Sequence, residues 1–199
     1  MSQIIIVSVV LLWILVLVNL ALTILLLRRV NAQPQVQSSP LIFGSEVSEF
    51  LKVGDDAPDF TAKTPQGDHV TFAQYAGQAV TFLFISVHCS PCRENLPRYL
   101  TIQTQARQSG EEFVLVNTNE VNEAQTFINE FAITTPIIIA TEGSNSFMDD
   151  YKAPGMPFYC SIDAKGKVRS TGFPFEGNES WKLLTDLWEA KVQVEVIPI

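Results

Sequence analysis

The chain has 199 residues, 47% hydrophobic and 17% charged, with a formal net charge of −8. That length holds one soluble domain with something to spare. The acidity repels phosphate backbones, so no nucleic-acid partner is expected, and three cysteines are too few for a disulfide-stapled scaffold.

The spare part comes first. Residues 1–27 carry no charged side chain, and Ile4 to Leu27 is apolar apart from Ser8, Asn19 and Thr23. About twenty such residues cross a bilayer as a helix, so residues 1–29 are expected to be a transmembrane anchor. Val30-Asn31-Ala32 has the small-residue look of a cleavage site. The apolar run, however, exceeds the roughly 7–15 residues of a signal peptide core and has no basic region before it. Arg28 and Arg29 follow the span, and the positive-inside rule alone would keep that flank cytoplasmic. A domain built around a disulfide-forming pair suits an oxidising compartment instead. The expectation is therefore a single-pass protein of a bacterial cell membrane with its domain outside the cytoplasm. Residues 30–52, rich at first in Gln, Asn, Ser and Pro, form a linker.

A folded domain is expected over residues 53–191. Val53 to Pro58 is turn-rich and leads into a short strand around Phe60-Thr61-Ala62. Pro65-Gln66-Gly67-Asp68 signals a turn, and His69 to Phe72 alternates as the second arm of a hairpin. Ala79 to Val87 is almost continuously apolar, the mark of a strand buried on both faces. Ser90 to Gln108 reads as one helix, with Pro97 inside it expected to bend it. Phe113 to Asn117 is a strand, and Val121 to Phe131 places Ala124, Phe127, Ile128 and Phe131 at helical spacing. Pro136 to Ala140 is another strand, and Glu142 to Tyr151 a loop with a short helix. Phe158 to Asp163 and Val168 to Phe173 flank a glycine turn at Gly166. Glu179 to Lys191 is a final amphipathic helix, and residues 192–199 a tail, read as an edge strand or disordered. Alternating strands and helices followed by an antiparallel pair give an α/β fold, a mixed sheet with helices on both faces.

Cys89-Ser90-Pro91-Cys92 sits where the apolar strand gives way to the helix. Two cysteines at this spacing bind a soft metal or form a disulfide with each other. A structural zinc site takes four ligands, often as two pairs. This chain offers one pair, a lone Cys160, His69 and His88. The strand-then-helix setting favours redox chemistry, with no metal and no cofactor beyond the pair itself. A cysteine at a helix N-terminus faces unpaired N–H groups and the positive end of the dipole, which favours thiolate. Cys89, at the open end, is the expected nucleophile, and Cys92, inside the first turn, the resolving partner. Pro91 fits a first turn, where its missing N–H costs nothing. Cys160, on a predicted strand, is expected to be structural, since free cysteines are among the most buried residues.

With these residues in place the chain resembles the thioredoxin superfamily, and within it the membrane-anchored TlpA-, ResA- and MauD-like branch. The resemblance covers about residues 53–190. It rests on the anchor and spacer, Val53-Gly54-x-x-Ala57-Pro58-Asp59-Phe60, the C-x-x-C after an apolar strand, Arg93-x-x-Leu96-Pro97, Gly155-Met156-Pro157, and Ile162-Asp163-x-x-Gly166-x-Val168. It implies a thioredoxin-like fold with an extra N-terminal hairpin. It also implies a cis proline at Pro157, leaving the backbone of Met156 open beside the pair. Ser90 and Pro91 should help to set the potential. The buried acid of thioredoxins has no counterpart in Phe82-Leu83-Phe84. The glutamate common three places after the second cysteine is Asn95, with Glu94 one residue early as a candidate proton acceptor for Cys92. His88 replaces the usual tryptophan and, when protonated, would favour thiolate.

The implied activity is thiol–disulfide exchange with protein disulfides or dithiols, electrons passing to or from a membrane or extracytoplasmic redox partner. Cytochrome maturation and maturation of one dedicated enzyme both lie within the family's range. Two other readings stay open: a peroxiredoxin-like peroxidase, from Ser86-Val87-His88-Cys89, and a copper- or partner-binding module without turnover.

Overall fold

The computed structural model describes residues 11–20 and 50–195, with side chains described as far as residue 192. The chain divides into two compact units, residues 1–46 and 47–199. In the first, residues 11–20 are helical. Among the described residues no helix is long and apolar enough to cross a membrane. The rest of the expected anchor, most of the linker, and residues 196–199 of the tail lie outside the described residues.

The second unit carries the sheet. In chain order its elements are β1 (Thr61–Lys63), β2 (His69–Thr71), a 3₁₀ turn (Phe72–Tyr75), β3 (Val80–Ile85), α1 (Ser90–Gln108), β4 (Glu112–Asn117), α2 (Val121–Glu130), β5 (Ile137–Ile139), α3 (Phe147–Asp150), β6 (Phe158–Ile162), β7 (Val168–Gly172) and α4 (Glu179–Glu195). Among the described residues the sheet has seven strands in the order β2-β1-β5-β4-β3-β6-β7. β3, β4 and β5 run parallel, and the remaining pairings are antiparallel. This is the expected mixed sheet, entered through the expected hairpin.

Every residue of β3 is buried, and alternate side chains serve opposite faces. Val80, Phe82 and Phe84 join one core, and Leu83 and Ile85 the other. The second core lies under α1, α2 and α4, through Leu96, Tyr99, Phe127, Trp181 and Trp188. The first lies under α3 and the segment before β1. Phe60 stacks on Phe147 with ring centroids 3.8 Å apart, and Tyr151 donates to the Pro58 carbonyl at 2.9 Å. Helices thus flank both faces, but three of the four share one face: α1 and α2 because two successive right-handed crossovers stepping the same way along the sheet keep their helices together, and α4 because Trp181, Leu184 and Trp188 pack into the same core.

α1 runs unbroken through Pro97. α4 continues to Glu195, so the first part of the expected tail is helical. Val192 and Val194 suggested alternation, but no glycine or proline stops the helix before Pro198.

At the end of the sheet away from Cys89, a buried carboxylate ties strands to helix. Glu111 accepts hydrogen bonds from Arg169, from Trp188 Nε1 at 2.9 Å and from Lys191 Nζ at 2.9 Å. Arg169 also donates to Ser161 Oγ at 2.8 Å. Burial pushes the Glu111 carboxyl up, but the hydrogen bonds from Arg169, Trp188 and Lys191 outweigh it and bring the pKa down to about 2. A depressed carboxylate stabilises the fold above its ordinary value, and that contribution fades as pH falls through the folded value. Glu111→Gln is therefore expected to cost about 1–3 kcal/mol at pH 7, discounted for the partly exposed Arg169 and Lys191. Denaturant unfolding across pH should show the gap from wild type closing between about pH 5 and pH 2.

Candidate functional site

β3 ends at Ile85, and four residues later the chain caps α1. Cys89 is the N-cap, in extended conformation, and its Sγ accepts the Cys92 backbone N–H at 3.1 Å. Ser90 and Pro91 fill the first turn, where no backbone donor is needed. Cys89 and Cys92 are disulfide-bonded with Cα atoms 5.2 Å apart. Cys92 is wholly buried against Leu96 and the α1 core, whereas Cys89 is half-buried. The accessible sulfur is thus the one that receives the helix's amide, which favours its anionic form.

The turn before Cys89 is held from three sides. Cys89 N–H donates to the Ser86 carbonyl at 3.2 Å, and His88 N–H to Ser86 Oγ at 3.2 Å. From the β4–α2 connection, Asn119 Oδ1 accepts the Val87 N–H at 2.9 Å, and Asn117 Oδ1 fixes Asn119 through its N–H at 2.9 Å. From α1, Arg93 Nη1 donates to the Val87 carbonyl at 3.4 Å. Its guanidinium also lies over the Phe127 and Phe131 rings, at 5.5 and 5.1 Å, and pairs with Glu130.

The register brings the fourth side. Phe84 pairs with Phe158, so Pro157 arrives beside the end of β3. The Met156–Pro157 bond is cis, as the resemblance implied. The Met156 carbonyl oxygen lies 3.5 Å from Cys89 Sγ, and Thr118 Oγ1 donates to Met156 Sδ at 3.2 Å. Beside the pair opens a groove of about 700 Å³, walled by Pro91, Asn95, Tyr99, Pro157, Phe173 and Phe175. Phe173 and Phe175 are exposed.

The remaining expected residues divide. His88 is next to Cys89 but exposed, its Nε2 3.3 Å from Glu123 Oε1 on α2. Glu94 is exposed on α1, and among the described residues no hydrogen bond or ion pair joins it to Cys92. Its neighbour Asn95 donates to the Pro91 carbonyl at 2.8 Å. Cys160 is free and fully buried, and burial pushes its thiol up to about 12. It belongs to the core on the far face of the sheet from Cys92. His69 is on edge strand β2, separated from β3 by three strands. Among the described residues no three His, Cys, Asp or Glu side chains are grouped to hold a metal. Arg93, Thr118, Asn119 and Phe175 were not assigned a role from sequence. Arg93 opens the Arg93-x-x-Leu96-Pro97 motif, and Asn117-Thr118-Asn119 closes a strand with turn-forming residues, which is the signal the sequence carries.

A disulfide spanning the first turn of a helix, with its outer sulfur open and a cis-proline loop against it, on this sheet, defines a thiol–disulfide oxidoreductase of thioredoxin-like fold. The Redoxin family model matches residues 52–182, and the chain belongs to that family. It is 28% identical over 125 residues to the thioredoxin-like protein YneN of Bacillus subtilis, covering 60% of this chain and 70% of that one. It is 23% identical over 121 residues to the thiol-disulfide oxidoreductase ResA of Bacillus thuringiensis, covering 60% of this chain and 69% of that one. Among solved structures, a thiol:disulfide interchange protein from a Bacteroides species superposes with a TM-score of 0.60 at 21% identity, over 72% of this chain and 91% of that one. That last likeness speaks to the fold.

Thiol counting checks the geometry. In the reduced, native protein one thiol, Cys89, should be alkylated rapidly by iodoacetamide, while Cys160 reacts only on unfolding. Cys160→Ala should leave the reduction potential of the pair unchanged. A shift of more than about 30 mV, roughly tenfold in the two-electron equilibrium, would tie Cys160 to the redox site.

Proposed function

We propose that this chain is a membrane-tethered oxidoreductase whose domain works outside the cytoplasm on disulfides or dithiols of other proteins. The observation that carries the reading is the half-buried Cys89 capping α1, with the Cys92 N–H on its sulfur and an open apolar groove beside it. In the reducing direction, Cys89 thiolate attacks one sulfur of a substrate disulfide. A Cys89–substrate disulfide forms as the other substrate sulfur leaves as thiolate. Cys92 then loses its proton and attacks Cys89, releasing the second substrate thiolate. The pair gives up two electrons, the substrate disulfide gains them, and the departing thiolates take up protons. Run backwards, the same steps oxidise a substrate dithiol.

Met156 and Pro157 serve this chemistry as backbone. The Met156 carbonyl beside Cys89 Sγ offers an acceptor to an extended substrate chain, and Pro157 closes the groove wall. Ser90 and Pro91 set the first turn and so the amide that reaches Cys89. His88 acts as a nearby charge when protonated, shared with Glu123. Glu94 faces solvent, so the proton of Cys92 passes by way of the departing substrate thiolate or water instead. Ser86 Oγ accepts the His88 amide and so helps to hold the turn before Cys89. Tethering and placement are supported by the charge-free run over residues 1–27 and by the disulfide chemistry of the domain. The redox partner is then a membrane or extracytoplasmic protein, and cytochrome or dedicated-enzyme maturation is the class of process served.

The deciding measurement is redox equilibration of the full-length protein in detergent. A reversible two-electron couple is expected. A potential near or below about −270 mV makes the protein a reductase, and one near about −120 mV a donor of disulfides; the absence of a couple overturns the reading. Cys92→Ser should accumulate covalent substrate adducts and Cys89→Ser none, visible on non-reducing gels. Protease added outside intact spheroplasts should digest the domain, and full protection would reverse the proposed orientation.

A further inference from the structure

The groove beside the redox pair does not stop at Phe175. Arg98 of α1 and Glu176 of the β7–α4 loop line it, and both also line a second groove of about 830 Å³ between α1 and α4. Ile102 and Trp181, both buried, give that groove an apolar floor. Thr101 and Gln105 on one side and Thr185 and Glu189 on the other give it polar walls. An apolar floor between polar walls suits an extended chain, whose side chains alternate between the two.

Charge gives the trough a direction. Arg98 meets Glu176 at 3.0 Å where the two grooves join, and Lys182 meets Asp186 at 2.7 Å farther along. Glu189 has no hydrogen-bond or ion-pair partner among the described residues. The end farthest from Cys89 therefore carries an uncompensated carboxylate. The Arg98–Glu176 pair is exposed, so an incoming chain displaces it without stranding a buried charge. From Pro91 to Gln105 the helix rises about 21 Å, which an extended chain covers in about six residues.

We infer that the two grooves form one docking surface for the polypeptide flanking a substrate cysteine, about six residues long, with a basic residue favoured at its far end. The inference rests on the exchange chemistry of Cys89 and Cys92 and adds to it the kind of chain that chemistry serves.

The test uses the reduced full-length protein and synthetic peptides, each holding one cysteine in a mixed disulfide with glutathione. Exchange oxidises the pair and yields the free peptide thiol and glutathione, separable by chromatography. One peptide has two residues on each side of the cysteine and the other has eight, with lysine or glutamate six residues away. The long lysine peptide should exceed the short one in kcat/KM by about fivefold, and the long glutamate peptide by less, as expected from a few apolar contacts and one screened charge. Glu189→Lys should invert the lysine–glutamate preference, and Thr101→Trp, which fills the trough, should remove the advantage of length. Equal kcat/KM for long and short peptides overturns the inference, as does an advantage that survives both substitutions. Exchange with neither peptide overturns the oxidoreductase reading as well, which separates the two failures.

Discussion

One hydrogen bond organises the site: the backbone amide of Cys92 on the sulfur of Cys89. It exists because β3 stops at Ile85 and the chain has just enough length to turn and cap α1. Strand register fixes the stop. Ile85 pairs with Asn117, and Phe84 with Phe158, so β4 delivers Thr118 and Asn119, and β6 delivers Met156 and Pro157, to the same point. Arg93 then closes the turn from the helix side. The environment of the sulfur is thus made of backbone dipoles and one guanidinium on the preceding turn. No buried acid sits beneath the pair in Phe82-Leu83-Phe84. Among the described residues the buried acid is Glu111, just before β4 begins, where it serves stability at the other end of the sheet. Six residues of β4, about 20 Å, separate that clamp from the chemistry.

Much of this was legible in the residues. The continuous apolar run of β3 marked a strand buried on both faces, and hydrophobic spacing located α2 and α4. The C-x-x-C announced itself by standing between a strand and a helix. What sequence hid was tertiary. Nothing in the spacing of Arg93 says that its guanidinium bonds the Val87 carbonyl while lying over two phenylalanines. Nothing in Asn119 says that it holds the amide of Val87. Glu94 and Asn95 differ by about 100° around a helix, and only the placed helix shows Glu94 in solvent and Asn95 turned back on Pro91. The tail misled because two valines in alternation imitate a strand, and the helix simply lacked a reason to end.

The place of Cys160 bears on how the molecule is made. In the finished sheet it sits opposite Phe82, on the face turned away from Cys92, with β3 between them as a wall. Before β3 and β6 pair, that wall does not exist. Three cysteines in an unfolded chain allow three disulfides, of which the native protein uses one. In any oxidising surroundings, sheet closure ahead of oxidation would keep Cys160 out of the pairing. Once β6 is in register, the unwanted partner is locked away by the same hydrogen bonds that deliver Pro157 to the redox pair. The strand that completes the active site is also the one that removes its only internal competitor.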